Sequence, residues 1–143
     1  MRLLWRWQGR ACSDARMAQG LEQYDTFLGD KSLVSEVRWG KHACGHAGLV
    51  HGGAIAATFD DAFGALFFSL EMGKGFTARL EVNYRKPIPA GTSLRVVTSV
   101  ESVEGRKVWM GSKIVGGDGA TVFADARSLF VVARVPTPAE LQQ

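Results

Sequence analysis

Residues 54–70 read AIAATFDDAFGALFFSL. The run contains no proline, and alanine, isoleucine, phenylalanine and leucine fill all of it except Thr58, Asp60, Asp61, Gly64 and Ser69. That composition predicts a helix of about five turns, ending at Leu70 or Glu71. Apolar side chains occur nearly all round its circumference, so other elements must wrap it. A membrane span over residues 52–70 is the competing reading. Asp60 and Asp61 sit at its centre, and each would cost about 2.5–3.5 kcal/mol in a bilayer. The run is therefore read as a helix buried in a globular core, with no membrane span.

Downstream of the helix the period changes from helical to two. Phe76, Ala78, Leu80, Val82 and Tyr84 alternate with polar residues, a strand that Pro87 and Pro89 end. Further strands are expected over Ser93–Ser102, Lys107–Val115 and Thr121–Val132. They are linked by turns at 104–106 and at Gly116-Gly117-Asp118-Gly119. Upstream, Leu33 to Trp39 alternates as a short strand, and residues 40–53, GKHACGHAGLVHGG, form a glycine- and histidine-rich loop. Met17, Leu21, Tyr24 and Leu28, spaced four, three and four apart, predict a helix from Asp14 to Leu28 that Gly29-Asp30 closes. Strand, long apolar helix and four strands in meander order make an α+β protein: one helix lying on the concave face of a curled antiparallel sheet, as in the hotdog fold. Residues 1–30 are read as a tail with a short helix, 31–135 as the domain, and 136–143 as a C-terminal tail.

The chain has 143 residues, enough for one domain, with 46% apolar and 22% charged side chains. Its net charge of +3 resides in the N-terminal segment, where Arg2, Arg6, Arg10 and Arg16 face Asp14 alone. The remainder is neutral, which argues against a nucleic-acid partner. Two cysteines, Cys12 and Cys44, make no disulfide scaffold and point to a reducing compartment. A cytoplasmic location is favoured. The spacing of Arg2, Arg6 and Arg10 at i, i+4 and i+8 leaves a mitochondrial presequence as the other reading.

Chemistry concentrates in residues 45–64, GHAGLVHGGAIAATFDDAFG. Gly52 and Gly53 stand at the helix start, where first-turn N–H groups lack intrahelical partners and the dipole is positive. A ligand carbonyl placed there would be polarised; a tight loop-to-helix turn is the structural alternative. Asp60 and Asp61 lie among apolar residues, and burying a carboxylate costs several kcal/mol, roughly. Neighbours on a helix point about 100° apart, so the two cannot serve one site. His42, Cys44, His46 and His51 supply four possible zinc ligands within ten residues. Their spacing matches no defensible zinc site, so no metal is expected.

HGGAIAATFDDA, with His51, Gly52, Gly53 and Asp60, resembles the signature of hotdog-fold acyl-CoA thioesterases, which include the phenylacetyl-CoA thioesterases. Thr77, opening the next strand, and Tyr84-Arg85-Lys86-Pro87 match two further family elements. GHAGLVHGG and VEGRKVW look most like the eukaryotic long-chain branch. The likeness runs from about Gly45 to Val132. It implies that the Gly53 N–H binds the thioester oxygen, with Gly52 beside it in the substrate site. Asp60 would be the base for water or a nucleophile, Thr77 would orient the water or the carboxylate, and His51 would hold the loop or contact the thioester. Arg85, Lys86, Arg106 and Lys107 become candidates for the coenzyme A phosphates. Bacterial relatives often carry an asparagine six residues before the histidine; Gly45 stands there instead. The implied reaction converts a fatty or aryl acyl-CoA and water to free acid and coenzyme A, with no metal or redox cofactor. The alternatives are a hydratase or dehydratase of acyl thioesters and a non-catalytic acyl-binding protein. Family members assemble as dimers or as dimers of dimers. A shared site follows also from geometry: Gly53 and Asp60 are seven residues, roughly 10 Å, apart along the axis, too far to serve one carbonyl from one chain.

Overall fold

The computed structural model describes residues 1–6, 20–134, 136 and 138–142. Its strands are β1 (Arg2–Arg6), β2 (Leu21–Gly29), β3 (Ser32–Trp39), the short β4 (Cys44–His46) and β5 (Leu49–Val50), then β6 (Gly75–Tyr84), β7 (Leu94–Glu104), β8 (Lys107–Val115) and β9 (Val122–Val132). The helix α1 covers Gly52–Ser69. Seven strands form one antiparallel sheet in the order β1-β2-β3-β7-β8-β9-β6, and β4 and β5 pair separately. One helix packed on a large curved sheet is the hotdog arrangement that the sequence predicts. No helix among the described residues is long and apolar enough to cross a membrane.

The core lies between α1 and the sheet. Phe59, Phe63 and Leu66 of α1 are completely buried, as are Val96, Val108, Met110, Ile114 and Ala124 of the sheet. Alternation in β8 follows the period of two, with Val108, Met110, Ser112 and Ile114 inward. Polar residues on the inner face pair with one another: Thr98 Oγ1 lies 2.8 Å from Ser112 Oγ, and Thr26 Oγ1 lies 3.0 Å from Ser35 Oγ. Pairing keeps these small hydroxyls from being desolvated without compensation. The turn before β9 is held by Asp118, which accepts from the Ala120 and Thr121 N–H groups and from Thr121 Oγ1. Those bonds, the Thr121 hydroxyl first, hold its carboxyl down at about 2.

Four expectations are corrected. From Leu21 onward the expected helix of residues 14–28 is strand β2, hydrogen-bonded to β3 through a two-residue turn; residues 14–19 lie outside the described residues. A register shift between Leu21 and Gln23 explains the false period. The bulge brings Leu21 and Tyr24, three apart, onto the same buried face, which imitates helical spacing. Because β1 and β2 belong to the main sheet, a boundary at residue 30 falls inside a hairpin. The meander is also shorter than expected. Only β7, β8 and β9 follow one another, whereas β6 pairs with β9 at the sheet edge. The proline-containing link after β6 is no hairpin: it crosses beneath the helix start, with Val50 N–H donating to Ile88 O and Gly91 N–H to Trp39 O. Finally, residues 2–6 of the expected tail form β1, paired with β2; Arg10 lies outside the described residues.

Candidate functional site

The helix start is built around His51. Its backbone is extended and its Nδ1 accepts a hydrogen bond from the Gly53 N–H at 2.8 Å. In this arrangement Nδ1 carries no proton, and Nε2–H is the donor left to the ring. The Gly53 N–H, expected to await a thioester oxygen, is thus already engaged by a side chain. Two glycines make room for the ring. A Cβ on Gly45 would stand 2.8 Å from His51 Cδ2, and one on Gly53 would stand 3.0 Å from Nδ1. This gives a physical reason for the absent asparagine: any side chain at residue 45 would push His51 out of its capping position.

Tyr84 secures the same turn from the sheet. Its Oη donates to Gly52 O at 2.8 Å, and its ring lies 3.4 Å from where a Gly52 Cβ would be. Sequence reasoning quoted Tyr84 only as part of a motif, because no local pattern reveals a bond spanning 32 residues. His51, Gly52 and Tyr84 border a cleft of about 570 Å³, together with His46, Lys86 and Ile88. Arg85 also reaches this cleft, but its Nε donates to Asp125 Oδ2 at 2.7 Å, and Asn83 Nδ2 donates to Oδ1 at 2.9 Å. The bond from Arg85, reinforced by Asn83, holds the Asp125 carboxyl below the usual carboxylate range, and Asp125 in turn raises Arg85. Lys86 has no carboxylate partner among the described residues, so its charge remains available to a ligand.

About two turns further along α1 the structure brings Asp60 and Thr77 together. Thr77 Oγ1 donates to Asp60 Oδ1 at 2.7 Å. The pair lies on the open side of the helix, just before a register shift in β6. Fixing one carboxylate oxygen orients the other for work on a proton or a carbon. Asp61, one residue on, turns elsewhere, with Oδ2 enclosed.

Arg106 and Lys107 do not join Arg85 and Lys86. The N–H groups of Arg85 and Lys86 bond to Phe123 O near the start of β9, whereas Arg106 Nε donates to Val132 O at its end. Those anchors are nine strand positions apart, roughly 30 Å. One chain therefore presents two basic groups at opposite ends of its sheet. Among the described residues no three of His, Cys, Asp or Glu converge as metal ligands.

Comparison with known proteins places these features in context. The family model of the thioesterase superfamily matches residues 47–123. The acyl-coenzyme A thioesterase THEM4 of Mus musculus is 35% identical over 102 residues, covering 71% of this chain and 44% of its own length. The protein of the same name from Xenopus laevis is 34% identical over 102 residues, covering 71% and 46%. The chain thus spans less than half the length of these curated relatives. A hypothetical thioesterase protein of Streptococcus pneumoniae, solved with coenzyme A, superimposes with a TM-score of 0.73 over 81% of this chain and 93% of its own, at 20% identity. Zebrafish thioesterase superfamily member 2 gives 0.74 over 87% and 89%, at 12% identity. At such identities these structures establish the fold.

Proposed function

Since the chain belongs to the thioesterase superfamily, we propose that it hydrolyses acyl-coenzyme A thioesters, with Asp60 supplying the reactive carboxylate. The observation that carries this reading is the hydrogen bond from Thr77 to Asp60, which orders a carboxylate on the open face of α1. The acyl-coenzyme A thioesterases of mouse and frog, at 35% and 34% identity, support the same substrate class. Water adds to the thioester carbonyl, its proton passes to the carboxylate and then to the departing sulfur, and the products are free acid and coenzyme A. Direct attack by Asp60 gives the same products through an anhydride. One turnover in isotopically labelled water tests the second route: unlabelled acid with the label retained in Asp60 establishes an anhydride opened by water at the Asp60 carbonyl carbon. Neither route uses a metal or redox cofactor.

The carbonyl oxygen is received at the helix start, by the His51 Nε2–H or by the Gly53 N–H once His51 Nδ1 releases it. These donors and Asp60 are roughly 10 Å apart along one helix, so the reading requires a homodimer in which Asp60 of one protomer meets the helix start of the other. Such dimers can pair further into tetramers. The sheet supplies a fitting edge, because among the described residues β6 has no neighbour beyond it and buries none of its side chains fully. Lys86, with Arg85 beside it, takes the phosphates of coenzyme A. Arg106 and Lys107, at the far end of the sheet, serve that role only from another protomer.

Thiol release from a panel of acyl-CoAs, followed with a thiol-reactive dye, tests the activity. Release establishes hydrolysis. Loss of enoyl absorbance without release establishes hydration, and ligand binding without either change establishes a non-catalytic binder. The shared site is tested by refolding Asp60→Asn together with a bulky Gly53 variant. Mixed dimers hold one site with both defects and one with neither, so about a quarter of wild-type turnover returns. Stable mixed dimers without activity would show that Asp60 acts within its own chain.

A further inference from the structure

We propose that the apolar groove beyond Asp60 holds the acyl chain of the substrate, and that Gly64 sets the length of chain admitted. The inference rests on the thioesterase reading and deepens it. The groove has a volume of about 870 Å³ and is walled by Phe67, Phe68, Phe76 and Phe130 at the C-terminal end of α1. Arg2, Glu71 and Lys74 also border it. Phe68 and Phe76 are 82% and 66% exposed, a large apolar surface for one chain to leave in water.

Gly64 is the second observation. It lies inside an 18-residue helix, where glycine is a poorer helix former than alanine. Crowding does not explain it: a Cβ built there meets nothing within 4 Å, and its backbone is ordinary helix. The neighbouring case differs, since a Cβ on Gly75 would strike the Phe67 ring at 2.4 Å. Gly64 therefore keeps open a space that the folded chain does not itself fill. It follows Asp60 by four residues, so it lies on the same helix face, one turn or roughly 6 Å along.

The chemistry of a thioester decides the occupant. A carbonyl held at Asp60 has two arms that must leave in different directions, a phosphate-bearing one and a hydrocarbon one. The cleft at the helix start offers Lys86, Arg85 and His46; the groove offers four phenylalanines. The first sets Leu49, Val50, Ile55 and Ile88 beside two adjacent cations that suit the phosphate arm, so the hydrocarbon, which gains by leaving water, takes the second. The acyl arm therefore runs past Gly64 toward Phe68.

The test compares wild type, Gly64→Ala and Gly64→Leu on butyryl-CoA and palmitoyl-CoA, with thiol release as readout and light scattering as a check on assembly. Both substitutions favour the helix, so folding is preserved. The expected result is a loss of about 10–200-fold in kcat/KM for palmitoyl-CoA with Gly64→Leu, a smaller loss with Gly64→Ala, and butyryl-CoA within about twofold of wild type. An equal fall on both substrates overturns the proposal, as does a Gly64→Leu protein that loses its oligomeric state, since the space would then belong to a second copy. Wild-type protein that releases thiol from no acyl-CoA overturns the thioesterase reading separately. The groove is then read by displacement of a fluorescent long-chain fatty acid, which Gly64→Leu weakens if the groove holds acyl chains and leaves unchanged if it does not.

Discussion

The two ends of the contact between α1 and β6 are built in opposite ways. At the N-terminal end directional bonds do the holding: His51 accepts from Gly53, and Tyr84 donates to Gly52, both in partly open surroundings. At the C-terminal end shape does it. Phe67 lies over the bare backbone of Gly75 and meets Phe130 with ring centroids 5.3 Å apart. Hydrogen bonds near water stabilise little but orient strongly, whereas close aromatic packing stabilises more and orients less. One helix thus offers a polar end where small displacements matter to chemistry and an apolar end where they matter to stability and to the shape of a groove. Asp60 lies between them.

Asp60→Asn is the largest expected break in that division, because it touches neither end. Turnover should fall about 10²–10⁴-fold, with circular dichroism and melting temperature close to wild type. Asp61→Asn should be mild. The reverse result, an inactive Asp61→Asn and a working Asp60→Asn, would move the reactive carboxylate to the other face of α1.

At the apolar end, Gly75→Ala forces a methyl group against the Phe67 ring and should destabilise the fold by about 1–3 kcal/mol in urea unfolding. Activity per folded molecule should change less than stability. At the polar end the ranking should invert. Tyr84→Phe removes only a hydroxyl, so stability should drop by about 1 kcal/mol. If that bond serves the helix start in the transition state, kcat falls about fivefold, the rate equivalent of that energy, with KM nearly unchanged. An unaltered kcat would reduce Tyr84 to a structural tether.

The smallest effect is expected beside the cleft. The Asp125 carboxyl is lowered by its bond from Arg85, then by Asn83, so the fold binds fewer protons there than the unfolded chain does. The associated stability is fully present above the ordinary carboxylate range and is lost as pH falls through the lowered value. Asp125→Asn should therefore be less stable than wild type near neutrality by about 0.2–1 kcal/mol, as for other exposed pairs. The difference should vanish in acid. A difference that grows in acid would contradict the pairing.

Local order along the chain was enough to specify the helix, the strands downstream of it and the residues that resemble a thioesterase signature. Those features rest on period, turn chemistry and spacing, all carried by neighbours in sequence. The same logic failed at Leu21–Gly29, where a bulge put residues three apart on one face and so mimicked a helix. It failed again for β6, whose partner is β9 rather than the next strand. Only the tertiary structure brought Thr77 to Asp60, placed Tyr84 on Gly52, tied Arg85 to Asp125 and separated Arg106 from Lys86 by the length of β9. Each of these depends on which strands lie side by side, and non-local pairing is chosen by the burial of the whole inner face. A sequence window carries the period of each strand but not the identity of its neighbour.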